Sequence, residues 1–118
     1  MARIPTLMRE AHQTSVKKGW WPELKDERIP KKDLLSQLML QVSELSEVCE
    51  EYRKHGLDPD KFIYEVNGKP EGIAIEYADL LIRVFDTCER YDIPLEKALA
   101  LKMEFNKHRT FRHGGKLA

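Results

Sequence analysis

A chain of 118 residues in which 20 Lys and Arg balance 20 Asp and Glu carries no formal net charge. That length suits one domain able to bury roughly two thirds of its unfolded surface, and the balance leaves no global field to draw it to a nucleic acid polymer or a membrane surface. No apolar run approaches the ~18 residues of a membrane span, the N-terminal stretch lacks a secretory pattern, and two cysteines are too few for a disulfide scaffold. The expectation is a soluble, cytoplasmic protein in which Cys49 and Cys88 are buried free thiols.

Hydrophobic periodicity predicts four helices and no convincing strand. The fold class expected is therefore all-α, a four-to-five-helix bundle forming a single domain over 1–118. The first helix covers about 4–18, with Ile4, Leu7, Met8 and Ala11 on one side and Gly19 placed to end it. The loop WWPELKDERIP follows. The second helix, about 31–54, repeats Leu34, Leu38, Leu45 and Tyr52, and it is long for so small a domain. A long loop over about 55–72 carries Asn67-Gly68 as a turn signal, while Pro70 argues against a regular strand. The third helix, about 72–90, is apolar around most of its circumference and is expected at the centre of the bundle. The fourth runs over about 93–109, with Asp92 as N-cap and Pro94 in its first turn. A basic tail, about 110–118, sets Arg112, His113 and Lys116 around two glycines.

The second helix places Glu44, Glu47 and Glu51 along one stripe, with no lysine or arginine one turn from Glu44 or Glu47. A solvated acidic face is the simplest reading of that stripe alone. The third helix adds Glu76 and Asp79 within an otherwise apolar run, on a narrow polar stripe continued by Arg83, Asp86 and Arg90. Arg83 is spaced to pair with Asp79, whereas Glu76 has no partner in its own helix. Two such stripes brought face to face crowd four carboxylates, which raises their pKa values unless a cation intervenes. Hard oxygen donors point to Mg²⁺, with Mn²⁺ as the other candidate. Zinc spacings and the Glu-x-x-His pattern of di-iron bundles are absent from the sequence.

The fourth helix sends Leu95, Ala98, Leu99 and Phe105 to one side, and Lys102 falls in the middle of that side, followed by Asn106 and Arg109. An inward lysine needs an anionic partner or a route along apolar surface to water. Set beside an acidic cluster, Lys102, Asn106 and Arg109 suit the binding of phosphate. No Walker-type loop is present. Two adjacent tryptophans, Trp20 and Trp21, point in different directions, so one of them is expected near the surface.

These residues resemble a known family. ELSE at 44–47 and EYAD at 76–79 are similar to the paired E-x-x-E and E-x-x-D motifs of the MazG-like all-α nucleoside triphosphate pyrophosphohydrolases, and KMEFNKHR at 102–109 to that family's K-x-x-x-N-x-x-R segment. The resemblance covers about residues 8–116, with the three motifs in the right order on three helices. It implies a Mg²⁺-dependent enzyme that hydrolyses (deoxy)nucleoside triphosphates between the α and β phosphorus, giving a monophosphate and pyrophosphate in nucleotide-pool house-cleaning. Carried over, Glu44, Glu47, Glu76 and Asp79 hold the metal and serve catalysis. Lys102, Asn106 and Arg109 contact phosphates, and His12 and Trp21 sit in the base pocket. Arg83, one turn after Asp79, departs from the family pattern, which has an uncharged or aromatic residue there. A homo-oligomer, a dimer or dimer-of-dimers tetramer, is also implied. Two alternatives stand beside this reading: a non-enzymatic helical protein-interaction module, and a related pyrophosphohydrolase acting on phosphoribosyl-ATP.

Overall fold

The computed structural model describes residues 3–109. Arg112, His113, Lys116 and the rest of the basic tail lie outside them. The described chain is mainly helical: α1 (Ile4–Lys17), α2 (Leu34–His55), α3 (Ile73–Arg90) and α4 (Leu95–His108), with a two-stranded hairpin of β1 (Tyr64–Val66) and β2 (Lys69–Glu71) between α2 and α3. Among the described residues no helix is long and apolar enough to cross a membrane.

Local chemistry sets the boundaries. Gly19, at φ 82°, ends α1 in a Schellman arrangement, with Trp20 N–H donating to Ser15 C=O and Gly19 N–H to Val16 C=O, both at 3.1 Å. α2 starts three residues later than its hydrophobic pattern suggests, because Asp33 caps it, accepting from Ser36 N–H at 2.8 Å. Asp92 does not cap α4 as expected. It adopts a left-handed φ of 54° and closes α3 instead, passing Ile93 N–H to Cys88 C=O at 2.9 Å. Pro94 takes the cap position of α4 without a side-chain hydrogen bond.

The long connection is more ordered than a loop. Asn67 (φ 52°) and Gly68 (φ 82°) form the turn their sequence signals, and both positive angles match the twist of a tight hairpin. Pro70 belongs to β2 opposite Glu65. In a two-residue hairpin that position directs its N–H away from the partner strand, so the imide nitrogen breaks no ladder bond. The hairpin is tied to α2 by Tyr64, whose hydroxyl donates to Glu51 at 2.7 Å, and that bond pushes the phenol up to about 12. Glu51 is therefore buried structure rather than part of a solvated stripe.

α3 packs against both α1 and α2, the two main helical interfaces, and is the central helix. α4 leans chiefly on α1. Leu99 and Phe105 remain 40 % and 58 % exposed, so the face of α4 read as inward is left largely uncovered by the described residues. The same holds for Leu35, Met39 and Val42 along α2. The radius of gyration, 17.4 Å, exceeds the roughly 13 Å of a compact chain of this length, as this open arrangement requires. Cys88 is buried, and that burial pushes its thiol up; Cys49, expected to be buried, is exposed.

Gly72 joins the hairpin to α3 at φ 120°, and a Cβ there would lie 2.2 Å from the Phe62 carbonyl oxygen. Gly72→Ala should cost more than about 2 kcal/mol, from backbone strain plus displacement of that carbonyl, read as a fall in the urea midpoint.

Candidate functional site

Packing of α2 on α3 brings Glu44 to Glu76 and Asp79, with one oxygen of each lying within 4.8 Å of the others. Glu44 and Glu76 are half-buried and Asp79 is exposed. Lost hydration raises the Glu76 carboxyl above its ordinary range, and the charges of Asp79, Glu47, Glu71 and Glu44 push it further. Asp79 is raised too, by lost hydration and then by Glu44, against the opposing pull of a hydrogen bond from Glu76 and the charges of Lys69 and Arg83. Both carboxyls thus sit where the charged form is disfavoured. Three converging carboxylate oxygens, from Glu44, Glu76 and Asp79, are the hard donors that suit a divalent cation such as Mg²⁺. Glu47 is exposed and stands outside the three-oxygen group, near enough for its charge to act on Glu76.

Arg83 does not choose the partner that helical spacing suggests. Its Nε bonds Glu44 across the helix pair at 3.2 Å, and its guanidinium lies 5.2 Å from the centre of the Trp20 ring. Trp20 is 45 % exposed. It lines a groove of about 440 Å³ shared with Leu7, Ala11, Asp79, Ile82 and Phe85, and also a pocket of about 430 Å³ with Lys32 and Arg83. An exposed indole beside the acidic group is a ready platform for a nucleobase.

Trp21, carried over as the base-pocket tryptophan, is only 2 % exposed. Its indole N–H donates to both Asp86 oxygens at 2.9 and 3.1 Å. Ser15 donates its hydroxyl to Asp86 at 2.8 Å, and His12 Nδ1 lies 2.7 Å from the same carboxylate. His12 and Trp21 meet edge to face, while Lys32 and Arg90 lie over the indole at 5.0 and 5.7 Å. With its N–H engaged and its faces covered, Trp21 is part of the core, and Trp20 holds the accessible position. His12 is directed to Asp86.

Lys102 is not among the charges that act on Glu76 or Asp79. Lys102 and Asn106 are exposed, and Lys102 Nζ lies 4.8 Å from the centre of the Phe105 ring. The cations whose charges act on Asp79 are Lys69 and Arg83. Arg109 is half-buried at the end of α4. Among the described residues the expectation of an inward Lys102 is therefore not met, because they leave the face that carries it exposed.

Asp86 was legible in sequence only as one more member of a polar stripe. A signal existed: it lies seven residues after Asp79, two helical turns along the same face. No family model, curated protein or solved structure matches this chain.

Two outcomes follow from these carboxylates. Asp86→Asn replaces an acceptor of three donors with a group that must present its own N–H₂ to some of them, so a loss of about 2–4 kcal/mol is expected in chemical denaturation. Glu76 behaves in the opposite sense. Its folded pKa exceeds the unfolded value near 4.5, so its contribution to stability is present below that pH and is lost as the pH rises through the folded value. Glu76→Gln should therefore become more stable than the parent as pH is raised toward 7 without metal, and added Mg²⁺ should narrow the gap; thermal melts across pH measure both.

Proposed function

We propose that the chain is a Mg²⁺-dependent pyrophosphohydrolase of the MazG-like all-α type, cleaving a (deoxy)nucleoside triphosphate into a monophosphate and pyrophosphate. The observation that carries the reading is the meeting of Glu44, Glu76 and Asp79 oxygens within 4.8 Å beside an exposed tryptophan. Glu44, Glu76 and Asp79 would hold the ion, which when bound supplies Lewis-acid stabilisation of polyphosphate charge. Trp20 takes one face of the base. Water attacks the α-phosphorus as the bond to the bridging oxygen breaks and pyrophosphate leaves. Glu47, beside Glu76 yet outside the three-oxygen group, is available to accept the proton of that water.

In this reading Lys102, Asn106 and Arg109 act on phosphates from α4 of a second copy. The exposed apolar residues of α2 and α4, Leu35 at 65 % and Phe105 at 58 % among them, support such an assembly. Burying them would supply the layer that makes Lys102 face inward. Phosphoribosyl-ATP shares the polyphosphate chemistry and is separated from dNTPs by direct comparison as a substrate.

A panel of (d)NTPs with pyrophosphate detection should give stoichiometric pyrophosphate for at least one base, with none in EDTA. Asp79→Asn should lower kcat by at least about a hundredfold with the fold intact by circular dichroism, the scale of a lost ionic partner in a site. Orthophosphate as the first product, or turnover indifferent to EDTA, would sink the proposal. Sedimentation should find a dimer or tetramer that Phe105→Glu dissociates.

A further inference from the structure

The contacts of Arg83 are unlike those of a surface counter-ion. Its side chain is 28 % exposed and that of Glu44 19 %, and its bond to Glu44 joins α3 to α2. The same guanidinium rests on Trp20, and it lines a pocket together with Lys32. Lys32 in turn donates its ammonium to the Trp20 carbonyl, fixing the backbone that carries the indole. Lys69, the other cation acting on Asp79, is drawn toward Glu71 at 3.4 Å. Arg83 alone of these two bonds directly to a member of the three-oxygen group.

Resting on the metal-site reading above, we propose that Arg83 is the resident cation of the site. It occupies Glu44 in the metal-free chain, must yield that carboxylate to a divalent cation, and then offers its freed guanidinium to the phosphate oxygens of the nucleotide stacked at Trp20.

Three physical points carry this. A guanidinium and a dication at one carboxylate repel each other strongly in a half-buried site, so both do not stay. A planar guanidinium keeps a second anchor on an indole face when its carboxylate is withdrawn, so release from Glu44 does not cast it into solvent. A freed guanidinium seeks a planar pair of anionic oxygens, which a phosphate supplies, and the pocket between Arg83 and Lys32 is large enough to take one. Metal and polyphosphate then bind cooperatively, since each favours the released position of Arg83.

The test compares the full chain with Arg83→Gln, using Mn²⁺ binding by electron paramagnetic resonance without nucleotide, KM for the best substrate of the panel, and tryptophan emission during a Mg²⁺ titration. Arg83→Gln should bind Mn²⁺ about tenfold more tightly yet show a KM raised about tenfold, opposite signs that a merely structural residue would not give. Wild-type emission should change as Mg²⁺ is added, and that change should vanish in Arg83→Gln and in Trp20→Phe. Equal Mn²⁺ affinities with Mg²⁺-dependent turnover preserved would overturn the role of Arg83 while leaving the pyrophosphohydrolase standing. Tighter Mn²⁺ with no emission response in the wild type would reduce Arg83 to a background charge and overturn its release. Absence of Mn²⁺ binding in both chains would remove the metal-site reading itself, and this inference with it. Should Arg83→Gln fail to fold, Arg83→Lys retains the charge without the stacking plane; loss of the emission response with raised KM supports the proposal, and wild-type values for both overturn it.

Discussion

The carboxylate of Asp86, buried where α3 meets α1, is the interaction on which the rest of the structure depends. It accepts from Ser15 and the Trp21 indole and holds His12 at 2.7 Å, so residues up to 74 positions apart converge on one side chain. A buried carboxylate is tolerable only when its lone pairs are satisfied, and here they are. The core needs such a node because few apolar side chains are buried among the described residues: Met8, Trp21, Val48 and Cys88. Hydrophobic packing alone would fix the angle of α1 on α3 weakly. A carboxylate with several donors fixes it directionally.

That node also decides what faces outward. Once Trp21 is committed to Asp86, the Schellman turn at Gly19 sends Trp20 to the opposite side, over Arg83 and beside Asp79. The accessible indole is a consequence of core formation one residue away. The polar stripe of α3 thus has two ends of opposite character. At Asp86 the carboxylate is fully partnered and stabilises the fold. At Glu76 and Asp79 the carboxylates crowd one another, with pKa values raised by lost hydration and repulsion. Sites that remain electrostatically frustrated in an otherwise consistent structure are where chemistry is sought.

The apolar residues left exposed on α2 and α4 belong to the same picture. A long α2 presents more hydrophobic surface than α1, α3 and the hairpin can cover, and α4 is anchored mainly by α1. Among the described residues, both helices therefore keep apolar surface in contact with solvent. Under the proposed function, the cations of α4 gain a role only when that surface is closed. Assembly and phosphate binding would then be one event.

The helices, their order, the Asn67-Gly68 turn and the termination at Gly19 were legible in the sequence, as were the acidic stripes of α2 and α3, though not that Glu44, Glu76 and Asp79 converge while Glu47 stands outside them. Each depends on 3.6-residue periodicity or on the backbone preferences of a few residues, which act over short range. The hairpin around Pro70, the closing of α3 by Asp92 and the burial of Glu51 and Asp86 were not legible. Nor was the choice of Glu44 over Asp79 by Arg83, or of Trp20 over Trp21 as the accessible ring. Those outcomes depend on which polar group meets which across elements far apart in the chain. Only the tertiary arrangement fixes such pairings, because the desolvation of a charge is set by what packs against it and not by its neighbours in sequence.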